Sequence, residues 1–489
     1  MPDHPAVVRN AVAALAEEIV DLFAAEGYQF AEGPELEAEW LNFDALNMEA
    51  DHPSRSPDAT FYIHDPRGRS GLVLRGHTSP VQVRQMLSHP APLRMVTVGR
   101  VFRPDPPDAT HSPVFHQAEG LAVAEGLTMD DLRATLGRLA VAMFGHDVPV
   151  RLRPHWFAYT DPSAEADVRC PACRGGGCDR CEDGWIEWAG CGMIHPRVLA
   201  TCGVDPCRYT AFAFGVGVER TLMLRHGLDD IREVIGHDRL HLSVRRPRLP
   251  LHPSRGRPRP VPRFRRRQAA AHALADAGWT EIQTHPFLDP SVWDALGLDR
   301  DDPRRAQLRI ANPLGEHTRA LRTALLPGVL LALRAWVRRS CGDPMLFEQG
   351  TVFHRPTGRL PPPRLPVGRP PRPEQLAGLY SAIPAQPLHL AAGLSGGHWH
   401  TAVAAARTVG RQWGVPLRPE PAHAHARGAW PWRSGQWARL VLGETSIGEA
   451  GELDPAVLRR LGLPEGTAAL TLDLDALDRH SGGERTGSA

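Results

Sequence analysis

The composition of this chain divides it in two. Between residues 245 and 267, ten arginines stand among prolines and glycines with almost no apolar periodicity, which marks a connecting segment, not a packed element. Ahead of it, Val8, Val12, Leu15, Ile19, Leu22 and Phe23 recur at helical spacing, and Gly27 supplies a stop. Beyond it the helical period returns around 265–277, Gly278 closes it, and a strand-like run, EIQTHPF, follows at 281–287. The order amphipathic helix, glycine, strand, mixed β therefore occurs twice and points to a duplicated fold. A length of 489 residues suits two cores of about 200 residues each. The expected layout is a first domain over 1–244, a linker over 245–263, a second domain over 264–478, and a disordered tail over 479–489.

Within the first domain, short apolar runs alternate with turn residues: LVL at 72–74, RMVTVGRVF at 94–102 and FHQAEGLAV at 115–123. These read as antiparallel strands, and helical spacing returns near 132–143, so the expected class is α+β. A net charge of +1 argues against a globally basic nucleic-acid binder and leaves local patches open. The chain has no lysine, so all 56 basic residues are arginine, for which codon usage is the plainer explanation. The N-terminus lacks the apolar segment of a signal peptide. The longest apolar run, 324–337, contains Pro327 and Arg334 and is too short to span a bilayer. A soluble protein of the reducing cytoplasm, with no membrane partner, is expected.

Three segments carry chemistry. On the strand after residue 114, Gln117 and Glu119 share a face and can hold an ammonium group, while Arg103 can grip a phosphate with its planar fork. Taken alone, the same pattern also suits solvated sheet residues. Residues 211–220, AFAFGVGVER, read as a strand with two glycines that let a nucleotide approach, leading into a helix that starts with Arg220. Cys170, Cys173, Cys178 and Cys181 form two CxxC knuckles in one short cluster, so they suit a closed four-thiolate Zn²⁺ site more than disulfides. With no open ligand position, that metal would stabilise the fold without taking part in catalysis.

Several of these segments resemble one family. GHTSPVQVRQML (76–87), GRVFRPDPPDATHSPVFHQAEGL (99–121), DPSAEADV (161–168), GCGMIHPRVL (190–199) and FAFGVGVERTLMLRHGLDDIR (212–232) are similar to the α subunit of bacterial phenylalanyl-tRNA synthetases. EGPELEAEWLNFDALN (32–47) resembles its first class II motif, with Pro34 as the motif proline. The second half resembles the central, catalytic-like part of the β subunit, through ANPLGEHTRALRTALLPGVLLAL (311–333), MLFEQGTVF (345–353), RSGQWARLVLGETSIGEAGELDPAVL (433–458) and LDLDAL (472–477). The resemblance implies the class II antiparallel-sheet fold, duplicated, with the second copy catalytically degenerate. It also implies ATP and Mg²⁺ as cofactors and an aromatic amino acid as substrate. Arg103, His111 and Arg220 would be the catalytic residues on the phosphates, with Asp105 beside them in the ATP site. Gln117 and Glu119 would hold the substrate ammonium, with His77, Ser79 and Gln82 around its carboxylate. Phe157 and Tyr159 would pack on the ring, and Ala213 would lie under its para position. Some bacterial members carry a similar cysteine cluster.

The chain also departs from the family pattern. It begins directly at the catalytic module, so the α subunit's tRNA-gripping arm is expected to be missing. The second half is expected to lack the editing and anticodon-binding domains. The stretch 345–353 has no arginine comparable to Arg103, and the family's Phe-Pro-Phe becomes Phe157-Ala158-Tyr159. Three readings stay open: a phenylalanine–tRNA ligase, a paralogue that activates phenylalanine or an analogue for a non-tRNA acceptor, and a non-catalytic regulator. Retention of Arg103, Gln117, Glu119 and Arg220 speaks against the third. The expected assembly is a homodimer in which each chain mimics one αβ pair, with the helix near 7–26 and the EGPELEAEW segment at interfaces.

Overall fold

A computed structural model describes residues 9–145, 148–170, 172–173, 175–179, 181, 183–235, 262–339, 342–422 and 430–481. Most of the expected linker, and the tail from 482, lie outside the described residues. The first helix, α1 (Ala11–Ala25), is capped by Asn10, whose side chain accepts from the amides of Val12 and Ala13, and it buries Val12, Leu15, Ile19 and Phe23. It lies on a seven-stranded sheet made of β1 (Gln29–Phe30), β2 (Leu93–Phe102), β3 (Val114–Ala124), β4 (Val150–Phe157), β5 (Thr160–Arg169), β6 (Trp185–Ile194) and β7 (Thr210–Gly217). The strand order is β1-β2-β3-β7-β6-β5-β4, antiparallel except for β1 beside β2. This half also holds helices α2 (Ser79–Ser88), α3 (Met129–Phe144), α4 (Pro196–Thr201) and α5 (Val218–His226), and a separate three-stranded sheet formed by Leu36–Ala38, Tyr62–Asp65 and Gly68–Leu74.

The second half repeats the plan. Helix α6 (Pro262–Asp276) precedes β8 (Thr280–Glu281), β9 (Met345–Thr351), β10 (Leu388–Leu394), β11 (Arg418–Pro421), β12 (Trp432–Leu442), β13 (Thr445–Leu453) and β14 (Ala468–Asp473), ordered β8-β9-β10-β14-β13-β12-β11. The first pair is again parallel. Side chains obey the same correspondence. The Arg75 Nε donates to the Arg100 carbonyl at 2.8 Å, and the Arg322 Nε donates to the Thr351 carbonyl at 2.9 Å. The amides of Phe102 and Phe353 donate to the carbonyls of Arg75 and Arg322, at 2.9 and 3.0 Å. The expected duplicated α+β fold is therefore present.

The halves share one core. Phe61 and Phe102 from the first pack against Phe287, with ring centroids 5.4 and 6.4 Å apart, and Phe353 and Leu365 of the second join the same cluster. Polar contacts seal the seam: the Gln386 Oε1 accepts from the amides of Glu35 and Leu36, and its Nε2 donates to the Leu36 carbonyl at 2.8 Å. Arg9 pairs with Glu281 at 2.6 Å, and His272 lies 3.0 Å from Glu17. The α1 helix and the EGPELEAEW segment thus meet the second half within one chain.

Some expected boundaries move. Helix α6 begins at Pro262, so Arg263, Arg265, Arg266 and Arg267 belong to a helix, where they pair with Asp475, Asp21, Asp478 and Glu32. These four are structural ion pairs, not free linker charge. Of the run EIQTHPF only Glu281, beside Thr280, pairs in the sheet. Pro286 has no amide to donate, and the Thr284 hydroxyl bonds to the buried Glu348 at 2.6 Å. The last helix, Leu474–His480, runs into the expected tail. Among the described residues, no helix is long and apolar enough to cross a membrane.

Candidate active site

The open face of β3 and β7 forms the floor of a pocket of about 230 Å³. Ser79, Gln82, Arg103, Gln117, Glu119, Phe157, Tyr159 and Ala213 all line it. Eight of the residues singled out in the sequence, drawn from five separate segments, therefore converge. Gln117 and Glu119 point the same way because they alternate on β3, opposite Gly99 and Thr97 of β2. Room for them comes from Gly215 on β7, where a Cβ would stand 2.6 Å from the Gln117 Nε2. Gly190 on β6 makes the same allowance for the Phe157 ring, 3.2 Å from a built Cβ.

Glu119 is the electrostatic centre. One carboxylate oxygen accepts from the Thr78 amide at 3.0 Å, and the other accepts from the Ser79 hydroxyl at 2.8 Å and from the Gln82 amide nitrogen. Burial pushes its pKa up, against the pull of these hydrogen bonds. Ser79 and Gln82, placed by the resemblance around a substrate carboxylate, are thus bound to Glu119 and orient it. The Gln117 Oε1 is buried with no hydrogen-bond partner, an acceptor suited to an ammonium N–H. The rings of Phe157 and Tyr159 lie nearly parallel, 5.6 Å apart, and His77 stacks on Tyr159 at 6.4 Å. Burial, with the Arg103 charge adding to it, lowers the His77 pKa to about 3, so the imidazole is neutral at physiological pH. The Tyr159 hydroxyl makes no hydrogen bond among the described residues, and burial and the nearby Glu119 raise its pKa.

Arg103 stands at the pocket's edge, its Nε donating to the Gly76 carbonyl at 3.2 Å and its guanidinium 5.3 Å from the centre of the Phe115 ring. Arg220, in the first turn of α5, makes no ion pair among the described residues; burial lowers its pKa, and Glu187 is the charge that opposes this. The loop after Arg103 carries Asp105 and His111 away from the pocket wall. Its His111 is bound to Asp108 at 2.9 Å, and both are more than half exposed. Sequence reading missed Phe115, Leu46, Met86, Glu187 and Val198. The lone acid in the apolar run 185–194 was the one available signal for Glu187.

Corresponding positions in the second half are closed. The shared register sets Ala391 where Glu119 stands, His389 for Gln117, Thr471 for Gly215 and Glu449 for Gly190. Glu449 accepts from the Trp432 indole at 2.8 Å, and Trp432 and Trp437 fill the space around Ala391. His354 follows Phe353 where Arg103 follows Phe102. Among the described residues, these positions of the second copy carry no counterpart of the Gln117 and Glu119 pair.

Cys170, Cys173, Cys178 and Cys181 meet beside the β5–β6 turn with all sulfurs within 4.8 Å of one another. Individual Sγ–Sγ separations run from 3.4 to 3.9 Å. Tetrahedral Zn–S bonds of about 2.3 Å place sulfurs about 3.8 Å apart, so the donor set fits that ion.

A family model described as "tRNA synthetases class II core domain (F)" matches residues 2–243, and "Phenylalanyl tRNA synthetase beta chain CLM domain" matches residues 247–474. The phenylalanine–tRNA ligase alpha subunits of Streptomyces avermitilis and Streptomyces coelicolor are each 51% identical to this chain, over 246 and 244 residues. Each alignment covers 48% of this chain and 68% of the relative. The alpha subunit of Mycobacterium avium is 53% identical over 235 residues, covering 48% of this chain and 66% of its own length.

Proposed function

The chain belongs to the phenylalanine–tRNA ligase alpha-subunit family through its first half, and on that premise we propose that it is an ATP-dependent ligase that activates phenylalanine and passes it to tRNA. The observation that carries this is the convergence of Gln117, Glu119 and an aromatic pair on one pocket with Arg103 at its edge. The substrate ammonium would lie between the free Gln117 Oε1 and the Glu119 carboxylate, its ring against Phe157 and Tyr159 and above Ala213. An oxygen of the amino-acid carboxylate attacks the α-phosphorus of ATP. A new O–P bond forms, the bond to the β-phosphate oxygen breaks, and pyrophosphate leaves. Arg103 and Arg220 face the charge that grows on the phosphates, which makes positioning and preorganised charge the source of rate. Mg²⁺ would add charge neutralisation on the same phosphates. Asp105 and His111 would join the ATP site only by movement of their loop. A terminal tRNA hydroxyl then takes the acyl group and AMP leaves. ATP–pyrophosphate exchange across the amino acids, followed by acylation with and without tRNA, tests both steps. Exchange with phenylalanine but no acylation of tRNA would transfer the proposal to another acceptor.

The pocket also bears on specificity. An apolar site rejects an added hydroxyl only weakly, by about 10²-fold, and the partnerless Tyr159 hydroxyl offers polar substituents a hydrogen bond. Tyrosine or meta-tyrosine should therefore be activated at measurable rates. Preference for phenylalanine above about 10⁴-fold in kcat/KM over both would show that Tyr159 does not meet the substrate.

The cysteine cluster is proposed as a structural Zn²⁺ site, kept reduced in the cytoplasm. Protein purified without added zinc should carry close to one equivalent per chain, and Cys173→Ser should lose both metal and thermal stability. A Cys173→Ser protein that stays fully metallated with unchanged stability rules the site out. A homodimer remains the proposed assembly. Because the motif-one seam is made within the chain, the dimer must use other surfaces. Light scattering that returns a single-chain mass at micromolar concentration would contradict it.

A further inference from the structure

The proline-rich segment 356–373 of the second half crosses onto the first. Leu365 is buried in the shared core, and Leu360 packs against it. Pro361 and Pro362 close over Gly71, Pro370 closes over Gly203, and the Gly368 amide donates to the Thr201 hydroxyl at 2.8 Å. Thr201 is the last residue of α4. Val198 of that helix lines the substrate pocket, and the amide of its N-cap residue His195 donates to the Tyr159 carbonyl at 3.0 Å. The strap therefore lies along an element of the pocket wall.

Leu365 and Pro371 are buried and Leu360 and Pro362 half-buried, while the charge stays outside. Arg359, Arg364, Arg369 and Arg372 are exposed, and none makes an ion pair among the described residues. The stretch 355–373 holds five arginines and no Asp or Glu. Some exposed arginines elsewhere have acidic partners, as Arg138 has Glu26 and Arg433 has Glu452; what sets the strap apart is that four of its arginines stand within fourteen residues with no acid among them. Arg197, on the α4 helix that the strap lies along, is also exposed. At about 3.1 Å per residue, an extended chain spreads 359–372 over at most about 40 Å, close to one turn of a nucleic-acid duplex. Guanidinium forks match phosphate oxygens. A groove that reads proline-rich peptides is a poor alternative, because the strap's Leu360, Leu365 and paired prolines are already used against the protein.

We propose that this strap is a nucleic-acid contact surface whose arginines meet the phosphates of an RNA with its end at the pocket. The proposal rests on the tRNA-ligase reading, and the experiment separates the two. Fluorescence anisotropy would follow tRNA binding to the full chain and to a variant carrying Arg359→Ala, Arg364→Ala, Arg369→Ala and Arg372→Ala, over a range of salt concentrations. ATP–pyrophosphate exchange would be measured on both proteins. Each lost phosphate contact takes about 0.7–0.9 from the slope of log K against log salt, so the variant's slope should fall by about 3 and its binding weaken at least tenfold, with exchange unchanged. Equal slopes and affinities overturn the proposal. Normal exchange with no tRNA binding by the parent chain overturns the strap and the tRNA step together. Strap-dependent RNA binding without exchange supports the strap and removes the ligase reading. Phosphatidylserine vesicles bound with the same dependence on the four arginines would make this a membrane face and overturn the assignment to RNA.

Discussion

Arg103→Ala should lower ATP–pyrophosphate exchange by roughly 10²-fold or more, with the fold intact, because a preorganised cation facing developing charge contributes on that scale. The second half of this expectation follows from its surroundings. Arg103 is exposed, makes one hydrogen bond to the Gly76 carbonyl, and lies over Phe115 without entering a core. Little packing is lost with it, so thermal unfolding should be unchanged while exchange collapses. Arg103→Lys keeps the charge but loses the planar fork, and should recover only part of the rate. Exchange unchanged in the alanine variant would remove Arg103 from the phosphate site.

The largest effect on stability should come from the half without a pocket. Arg322 and Glu348 form an ion pair at 2.7 Å with side chains only 2% and 1% exposed, and the Thr284 hydroxyl bonds to both. Arg322→Met leaves a buried carboxylate without its cation and should cost about 3–5 kcal/mol in urea unfolding. The double variant Arg322→Met/Glu348→Met removes both charges and should lie close to the parent, since an apolar pair of similar volume replaces a desolvated ionic one. Equal losses in the single and double variants would show that the charge pair is not what stabilises this seam.

The long antiparallel strands of the first half were legible, since runs such as RMVTVGRVF carry their own alternation and end in turn residues. The duplicated order of elements was legible for the same reason. What sequence pattern could not supply were contacts set by tertiary structure. Ser79 and Gln82 are polar residues on a helix, and only the fold brings them to Glu119. The strand after Gly278 pairs at only two positions, since Thr284 turns its hydroxyl to the buried Glu348 and Pro286 has no amide to donate. The arginines of 263–267 looked like linker charge because their carboxylates, such as Asp21 and Asp475, lie some two hundred residues away in the chain. Closure of the second pocket was visible as a missing arginine, but the indoles that fill it came only with the structure.

The shared core has a consequence for how this protein responds to dilution. Two separate subunits held by Phe61, Phe102, Phe287 and Phe353 would part below their dissociation constant, and the site beside the seam would lose its support. Here both sides of the seam belong to one polypeptide, so their meeting is intramolecular and governed by an effective concentration set by the connection between them. Specific activity should therefore hold constant down to nanomolar protein, where a two-subunit assembly of similar affinity would fade.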